Sequence, residues 1–453
     1  MDIQKVREEY ISLIGSDIEN NRKGALALKG SMERSPLYFR DRFTSKTLQI
    51  PRLYSGEDIG RFEQIVSTAY GIFEKVIREY LNSADYRTLF PFSKELEELI
   101  LIPTGYASEL PMARFDIFYH EDTKEFYFCE INTDGTSGMN EDRLLDELFI
   151  DNPAHQEMRR RHELHTFELF DSWVQTFLDL YRTYESKTYG PNVAIVDFLD
   201  TGTLREFQEF ARRFQRAGVN CEICDIRELR YENGRLYSAA GHVIDAIYRR
   251  AVTTDILEHF NEVQPFIRAV RERSCFLAGA FRTQIIHHKW LFHILHLERT
   301  KRFLTADECA FVEDHIPKTI PFEPGFIDIE EVISHKDKFI LKPQDSYASK
   351  GVYAGVEFPE MEWEKLAREA YKTGYIRQDY CPQYSEPNID FAWGDGEWHR
   401  YISMAGLYVY NRKFAGVFSR AAEGNGIIAS HRNERTQPTY LVSEKNLSRN
   451  DLL

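Results

Sequence analysis

Residues 114–140 have the sequence RFDIFYHEDTKEFYFCEINTDGTSGMN, and the predicted fold is built outward from them. Residues 115–119 and 125–131 alternate large apolar side chains with polar ones, and a polar loop of hairpin length, residues 120–124, separates them. Because successive side chains of a strand point to opposite faces of a sheet, this alternation predicts a β-hairpin.

Four polar side chains of this hairpin are predicted to cluster. Arg114 and Asp116 are two positions apart on the first strand, and Glu130 and Asn132 are two apart on the second, so each pair shares a face. If the two faces agree, the carboxylate and amide oxygens suit Mg²⁺, and the guanidinium suits an anionic substrate. A solvated polar face is the alternative, but four such residues followed by the small-residue turn 134–138 favour a functional site.

Composition excludes several classes of protein. The chain has 453 residues, enough for about three domains. Its 57 Lys and Arg against 72 Asp and Glu give a net charge of −15, which argues against nucleic acid and anionic membranes as partners. The first 20 residues lack the apolar core of a secretory signal, and no apolar run is long enough to span a membrane. With six scattered cysteines, we expect a cytoplasmic protein.

Two groups of possible metal ligands have ordinary structural interpretations. Cys221 and Cys224 form a C-x-x-C sequence inside an apolar strand-like run, with no second pair at zinc spacing. Histidines 287, 288, 293 and 296 lack the H-E-x-x-H pattern and are interpreted as helix-packing residues.

The chain alternates helical and strand-like periods. Residues 1–100 are mostly helical in pattern, apart from the polar, basic segment 21–52 with Arg40, Arg42 and Lys46, which is predicted to be a solvated loop or, alternatively, a cover for an anionic substrate. Helices are predicted over residues 140–148, 153–182 and 283–298. Residues 193–226 follow a strand–helix–strand pattern, which predicts parallel strands in an α/β layer.

The C-terminal third returns to strands. Residues 339–343 form an apolar strand that ends in Lys342-Pro343, and a polar loop ending at Gly351 joins it to the strand 352–357. Such a hairpin with a flexible tip can fold over phosphates. A helix is predicted over residues 361–373, strands over 375–380, 401–410 and 414–418, and a small-residue turn over 419–426.

These motifs resemble those of the ATP-grasp ligases, with the order rotated. Arg114-x-Asp116 and Glu130-x-Asn132 precede His288-Lys289, Lys342-Pro343 and Gln378-Asp379-Tyr380, whereas the usual order places the Glu-x-Asn pair last. This order is similar to that of the circularly permuted branch, which includes glutathionylspermidine synthases and eukaryotic glutathione synthetases. The resemblance covers roughly residues 101–440.

The resemblance implies an α/β (α+β) chain with a circularly permuted ATP-grasp fold. It implies a helical N-terminal region over residues 1–100, a part that carries the metal-binding hairpin over 101–190, an inserted Rossmann-like α/β substrate domain over 191–280, and a nucleotide-binding part with flap and hinge over 281–453.

The resemblance also implies an ATP- and Mg²⁺-dependent ligase that joins a small carboxylate to an amine through an acyl phosphate. It assigns the metal to Asp116, Glu130 and Asn132, the phosphates to Lys289 and Lys342, the flap to Ser349 and Gly351, adenine to Gln378, Asp379 and Tyr380, and the substrate carboxylate and acyl phosphate to Arg114 and Arg420. The glutathionylspermidine synthase subtype is expected without an amidase domain.

The sequence departs from the family in its flap, which has only Gly351, and in the acidic residue past the strand lysine, for which Asp345 is the nearest candidate. A non-catalytic nucleotide-binding scaffold and an ATP-dependent small-molecule kinase are the alternative functions. The oligomeric state is not indicated.

Overall fold

The computed structural model describes residues 1–39, 42–200, 203–344, 350–424, 426–429 and 432–444. Of the residues singled out above, Ser349, Asp345 and Arg40 lie outside the described residues. The described chain mixes helices with strands in several sheets.

The α-helices of the described residues are, in chain order, α1 (Ile3–Ser16), α2 (Ile18–Glu33), α3 (Gly56–Asn82), α4 (Ala84–Arg87), α5 (Lys94–Ile100), α6 (Met139–Phe149), α7 (Pro153–Arg161), α8 (Asp171–Thr183), α9 (Leu204–Arg216), α10 (Thr253–Glu258), α11 (Gln264–Arg271), α12 (Gln284–His287), α13 (Leu291–Leu295), α14 (Glu298–Lys301), α15 (Ala306–His315), α16 (Ile329–Ser334) and α17 (Glu360–Ala370).

The strands are β1 (Tyr38–Phe39), β2 (Arg42–Phe43), β3 (Arg52–Tyr54), β4 (Met112–Tyr119), β5 (Phe126–Asn132), β6 (His162–His165), β7 (Val193–Asp197), β8 (Cys221–Asp225), β9 (Arg230–Glu232), β10 (Arg235–Tyr237), β11 (Val243–Ile244), β12 (Ala246–Arg249), β13 (Phe276–Ala278), β14 (Thr319–Pro321), β15 (Phe339–Pro343), β16 (Tyr353–Ala354), β17 (Tyr375–Asp379), β18 (Ser385–Ile389), β19 (Trp398–Tyr410), β20 (Lys413–Glu423), β21 (Arg435–Gln437) and β22 (Thr439–Glu444).

The largest sheet is antiparallel and contains the predicted hairpin, β4–β5. Its strand order is β21-β20-β19-β4-β5, with β18 also paired to β19. Helix α3 packs against one face of this sheet, where Phe115 and Ile117 join the core formed by α3 residues such as Phe73. Because side chains alternate along β4, Arg114 and Asp116 point to the opposite face.

Helix α3 owes its length to its sequence. Ser55 and Asp58 form a capping box at its start, and apolar residues recur every three to four positions from Phe62 to Tyr80, all buried. Helix α3 covers the apolar face of β4. Of the two faces of this strand, the polar one is therefore the face that can contribute side chains to a site.

The predicted strand–helix–strand segment forms a parallel sheet. Its strand order is β13-β12-β7-β8, and every neighbouring pair is parallel. The apolar runs of these strands are almost entirely buried, as parallel strands require. A separate antiparallel sheet, ordered β14-β17-β15-β16, contains the hairpin β15–β16 that was predicted around Lys342.

Four charged side chains form a closed ring of buried ion pairs near the hairpin tip. Arg7 contacts Glu121 at 2.7 Å and Glu386 at 2.6 Å, and Arg52 contacts the same two carboxylates at 2.8 Å each. All four side chains are at most 3% exposed. The ring joins α1 and β3 to the loop of the hairpin and to β18.

Two sequence predictions about the N-terminal half are wrong. Much of the expected loop 21–52 is helix α2, whose narrow apolar stripe of Ala25, Leu28 and Met32 is too sparse to show in the sequence pattern. The single helix expected over residues 153–182 is two helices, α7 and α8, with strand β6 between them, because β6 pairs with the distant β22.

Among the described residues, no helix combines the length and the apolar character needed to cross a membrane.

Candidate active site

The hairpin register brings the four predicted side chains together. Arg114 pairs with Asn132 and Asp116 pairs with Glu130 across β4 and β5, and the register shifts only after Asp116. Residues opposite each other in an antiparallel pair project from the same face, so the two faces do agree, as the hairpin pattern required.

Asp116 is the centre of a buried network of nitrogen donors. Arg114 binds its carboxylate with two nitrogens, Nε at 2.7 Å and Nη2 at 3.1 Å, and the amide nitrogen of Asn132 donates to Oδ2 at 2.9 Å. Arg420 Nη2 donates to the same oxygen at 2.6 Å. Both oxygens of the fully buried Asp116 accept hydrogen bonds, so this carboxylate orients the two arginines, and the metal-ligand role that the resemblance assigned to it stays a prediction.

Arg420 reaches this network from a strand. The sequence predicted a turn over residues 419–426, but β20 continues to Glu423 and pairs Arg420 with Met404 on β19. The turn prediction fails because small residues such as Ala421 and Ala422 are here buried inside a sheet. On β19, Gly406 pairs with Asp116, and a Cβ there would lie only 2.7 Å from Arg114 Cδ and 2.8 Å from Asp116 Oδ1. The absence of a side chain at Gly406 thus admits the ion pair.

Glu130 is an anion surrounded by cations. Burial acts to raise the pKa of its carboxyl, but Lys289, Arg420, Lys342 and Arg114 together lower that pKa to about 2. Asn132 donates its amide nitrogen to Glu130 at 3.3 Å as well as to Asp116, which turns its amide oxygen away from both carboxylates. Glu130 and Asn132 both line the cavity beside Lys289 and Lys342, so their oxygens are placed where a hard cation could bind.

Lys342 is held by a buried relay of hydrogen bonds. Its ammonium donates to Gln378 Oε1 at 2.8 Å and to the carbonyl of Cys129 at 3.2 Å. Gln378 in turn donates from Nε2 to the Thr319 hydroxyl at 2.9 Å. Gln378 is only 4% exposed and its side chain positions Lys342, and the contact with adenine suggested by the resemblance stays a prediction.

Lys289 lies in a break between two short helices. The sequence predicted one helix over residues 283–298, but α12 ends at His287 and His288 is extended, with φ −67° and ψ 129°. Lys289 therefore leaves the helical path and lines the cleft beside Glu130. An uninterrupted apolar pattern gives no sign of such a break.

The cleft next to these charges encloses about 740 Å³ of empty space, part of it open to solvent. Its apolar walls are formed by side chains of two sheets and of the segments just before β16 and after β20, namely Phe118, Phe128, Ile340, Val352, Met404, Ile427 and Ile428. A slot with apolar walls and charges at one end suits a ligand with a flat base and an anionic tail.

Asp379 and Tyr380, which the resemblance assigned to adenine, also line the cleft. Several of their polar groups already form hydrogen bonds or ion pairs within the protein. The Asp379 carboxylate pairs with Arg377 at 2.8 Å, and the N–H groups of Asp379 and Tyr380 donate to the carbonyls of Lys318 and Lys338 at 2.9 and 2.8 Å. Asp379 and Tyr380 can therefore offer a base only their carbonyl oxygens as backbone hydrogen-bond partners, and these oxygens would accept from the base. Of the flap residues, Gly351 is described: it has φ +69°, and a Cβ there would lie 2.8 Å from the Tyr375 hydroxyl.

The small-residue turn after β5 is clamped by the end of the parallel sheet. Asp134 Oδ1 contacts Arg249 Nη2 at 2.7 Å, and its Oδ2 accepts from the N–H of Thr253 at 2.6 Å. The backbone of the turn also contacts Arg114, whose Nη1 donates to the Ser137 carbonyl at 2.5 Å. The turn thus links the Asp116 network to the parallel sheet.

Glu206 makes the second clamp on this turn. Its Oε2 accepts from the N–H groups of Gly138 and Asn140 at 3.1 and 3.2 Å, and its Oε1 contacts Arg250 at 2.8 Å. Sequence reasoning missed Glu206, Arg249 and Arg250, although Arg249 ends β12 and Arg250 follows it directly, which is a usual place for ligand contacts in a parallel sheet.

The remaining candidate ligands have structural roles. Cys221 and Cys224 are buried on β8, and burial raises the pKa of the Cys224 thiol to about 12. His293 and His296 hydrogen-bond to backbone carbonyls at 3.1 and 3.0 Å. Within the described ranges, no three His, Cys, Asp or Glu side chains come together as a metal cluster.

No family model and no curated protein sequence matches this chain. Among solved structures, the chain is similar to a glutathione synthetase-like effector from Globodera pallida, with 13% sequence identity, a TM-score of 0.60, and coverage of 92% of this chain and 96% of that one. A putative gamma-glutamylcysteine synthetase from Methylobacillus flagellatus (11% identity, TM-score 0.44, 86% and 89% coverage) and a D-cycloserine synthetase (13% identity, TM-score 0.26, 54% and 89% coverage) are more distant and add nothing to the fold assignment. By its fold, the chain resembles a glutathione synthetase-like protein over almost its whole length.

Proposed function

We propose that this protein is an ATP- and Mg²⁺-dependent ligase that joins a small carboxylate to an amine through an acyl phosphate. The observation that carries the proposal is the ionised Glu130 beside Asn132, set among Lys289, Lys342 and Arg420 at the charged end of an apolar cleft. The name of the similar Globodera pallida protein, glutathione synthetase-like, supports the same class of reaction.

The apolar slot would hold adenine, and the two lysines would contact the phosphates. Lys342 is fixed by Gln378 and the Cys129 carbonyl, so its ammonium is already oriented before ATP binds. Fixed cations of this kind stabilise the charge that develops during phosphoryl transfer without reorganising.

Glu130 and Asn132 would hold Mg²⁺. Their oxygens are hard donors, and Glu130 stays ionised well below neutral pH because of the surrounding cations. When bound, the ion would neutralise phosphate charge and shield Glu130 from the phosphates. Asp116 supports this site indirectly, because it holds the Asn132 amide nitrogen and thereby directs the amide oxygen.

Arg114 and Arg420 would bind the substrate carboxylate and the acyl phosphate. Asp116 fixes both guanidiniums, and Arg114 also contacts the turn 134–138. The substrate would then lie between this turn and the ends of β7 and β12, where Arg249, Arg250 and Glu206 fix the backbone. We propose that the parallel sheet is the Rossmann-like substrate domain of a circularly permuted ATP-grasp fold, and that the subtype resembles the synthase part of glutathionylspermidine synthases.

The test is ADP release from ATP and Mg²⁺ across a panel of small acids and amines. The wild type is compared with Glu130→Gln and Lys342→Met, and the matched controls are Glu364→Gln and Lys365→Met, two exposed residues of α17. Turnover that needs both an acid and an amine, is lost in the two cleft variants and persists in the controls is the expected result.

Two outcomes would contradict the proposal. ADP release with a phosphorylated product from a single substrate would identify a kinase. ATP binding by calorimetry, with no turnover for any acid and amine pair, would favour a nucleotide-binding scaffold.

A further inference from the structure

A second cavity lies beside helix α6 and shares no lining residue with the cleft described above. It encloses about 950 Å³ of empty space, part of it open to solvent. Its walls come from α6, from β6 and the segment that follows it, from Arg213 on α9 and from Tyr440 on β22. Nothing in the proposed ligase reaction uses this cavity.

Two carboxylates one helical turn apart on α6 line this cavity. Asp142 is 2% exposed and Asp146 is 8% exposed, and Oδ1 of each is buried with no hydrogen-bond partner among the described residues. A buried carboxylate without a donor is costly, whereas one that meets a cation is stabilised. A cationic donor that reaches both Oδ1 atoms would therefore stabilise the pair.

Four other charged groups of this cavity, Arg143, Glu147, Glu168 and Arg213, already have partners of their own. Arg143 contacts Glu147 at 2.6 Å, and Arg213 contacts Glu209 at 2.6 Å. Glu168 accepts hydrogen bonds from three backbone N–H groups at the start of α8, at 2.7–2.9 Å. These residues neither neutralise Asp142 and Asp146 nor compete for a ligand that does.

Two further polar residues line the cavity near the pair, Tyr440 on β22 and the exposed Arg159 on α7. Burial raises the pKa of both Asp142 and Asp146 well above the usual range; the charge of Asp146 adds to this effect at Asp142, and the Tyr440 hydroxyl opposes it at Asp146. Without a bound cation, Asp142 and Asp146 therefore hold protons, and a bound cation would displace these protons.

The chemistry of the cavity selects an organic cation over a metal ion. A divalent metal takes about six or more oxygen ligands, and no cluster of three metal-ligating side chains is present among the described residues. An ammonium offers three N–H donors, which match two carboxylates and a hydroxyl. Part of the wall is apolar and includes Phe167, Leu169 and Phe170. We propose that this cavity binds an aliphatic ammonium ion between Asp142 and Asp146, with its hydrocarbon chain against this apolar wall.

The test is calorimetric titration of the full chain with n-butylamine and with 1,4-diaminobutane. We expect both amines to bind and 1-butanol, which has the same chain length without charge, not to bind. Asp142→Asn and Asp146→Asn should each weaken binding by about tenfold or more, because each removes a hydrogen bond to a charged group. The control Glu147→Gln changes an acid of the same helix and cavity that is 57% exposed and paired with Arg143, and it should change the affinity by less than about twofold.

A second readout separates binding from mere folding effects. Titration in two buffers of different ionisation enthalpy should show protons released as the amine binds to the wild type, with fewer released by either Asn variant. Because Oδ1 of each carboxyl is buried without a donor, we expect the melting temperature of each Asn variant to be at or above that of the wild type. No amine binding, equal binding of butanol, or an equal loss in Glu147→Gln would overturn the proposal. It does not rest on the proposed ATP chemistry.

Discussion

Arg420 and Asp116 are 304 positions apart in the sequence, yet Arg420 Nη2 donates a 2.6 Å hydrogen bond to Asp116 Oδ2 inside the sheet. Arg114 binds the same carboxylate from its own strand. One buried anion thus fixes two guanidiniums on one face of the hairpin, and the arginines owe their orientation to that anion.

Asp116→Asn should destabilise the fold strongly. The amide would leave two buried arginines without the anion that they hydrogen-bond, and breaking a buried ion pair from one side typically costs about 3–5 kcal/mol. Urea unfolding followed by circular dichroism measures this loss, with Asp122→Asn on the exposed hairpin loop as the control. A loss below about 1 kcal/mol would show that the two arginines find other partners.

Gln378→Leu should weaken ATP binding while the protein stays folded. The Lys342 ammonium would lose its 2.8 Å acceptor and would no longer be fixed in the cleft. A hydrogen bond to a charged group is worth about 1.5–3 kcal/mol, so the dissociation constant for ATP should rise by about tenfold or more. Gln378→Glu keeps an acceptor and should retain most of the affinity. Equal effects of the two variants in calorimetric titration would contradict the positioning role.

Glu130 should contribute stability that depends on pH. Its folded-state pKa of about 2 lies below the ordinary value of 4.5, so the contribution is fully present above about pH 5 and is lost as the pH falls towards 2. The free energy of unfolding of the wild type relative to Glu130→Gln should fall over this window by on the order of 3 kcal/mol. Denaturant titrations at several pH values measure the difference. A constant difference would mean that the four cations do not act on Glu130.

Glu206→Gln should affect the carboxylate substrate more than ATP. Glu206 holds the backbone of Gly138 and Asn140 and pairs with Arg250, but it lines no part of the ATP cleft. In the variant, the two N–H groups donate to a neutral amide oxygen and no longer to a carboxylate, so the turn is held less tightly. We therefore expect KM for the acid to rise by about tenfold. The KM for ATP should stay within about twofold, as should both constants in the exposed control Glu228→Gln. A matching rise in both constants would point to a general loss of structure.

The parts of the site that could be predicted are those with a local pattern. The alternation on both sides of the loop fixed the hairpin and the shared face of Arg114 and Asp116, and the register confirms it. The apolar strand ending in Lys342 is likewise confirmed, and it pairs with a second strand, but that strand covers only Tyr353–Ala354 because residues 355–357 form a 3-10 helix. In these segments, the alternation of apolar and polar side chains along the sequence is enough to predict the strands.

The parts that could not be predicted depend on contacts between distant segments. Arg420 was expected in a turn because small residues follow it, but those residues are small because they are packed inside a sheet. Lys289 was expected on a helix. The helix ends at His287, but the apolar sequence of residues 283–298 contains no residue pattern that predicts this end. Arg420 binds Asp116 from a strand 304 positions away, so this contact could not be predicted from the hairpin alone.

The ring formed by Arg7, Arg52, Glu121 and Glu386 has a consequence for how this chain can evolve. Each charge in the ring contacts both opposite charges. The loss of any one therefore leaves an uncompensated charge in a place that water does not reach. A lineage that replaces one member must therefore exchange its partner in the same period. The four positions, scattered from the first helix to β18, should be inherited as one unit, conserved together or replaced together by apolar residues.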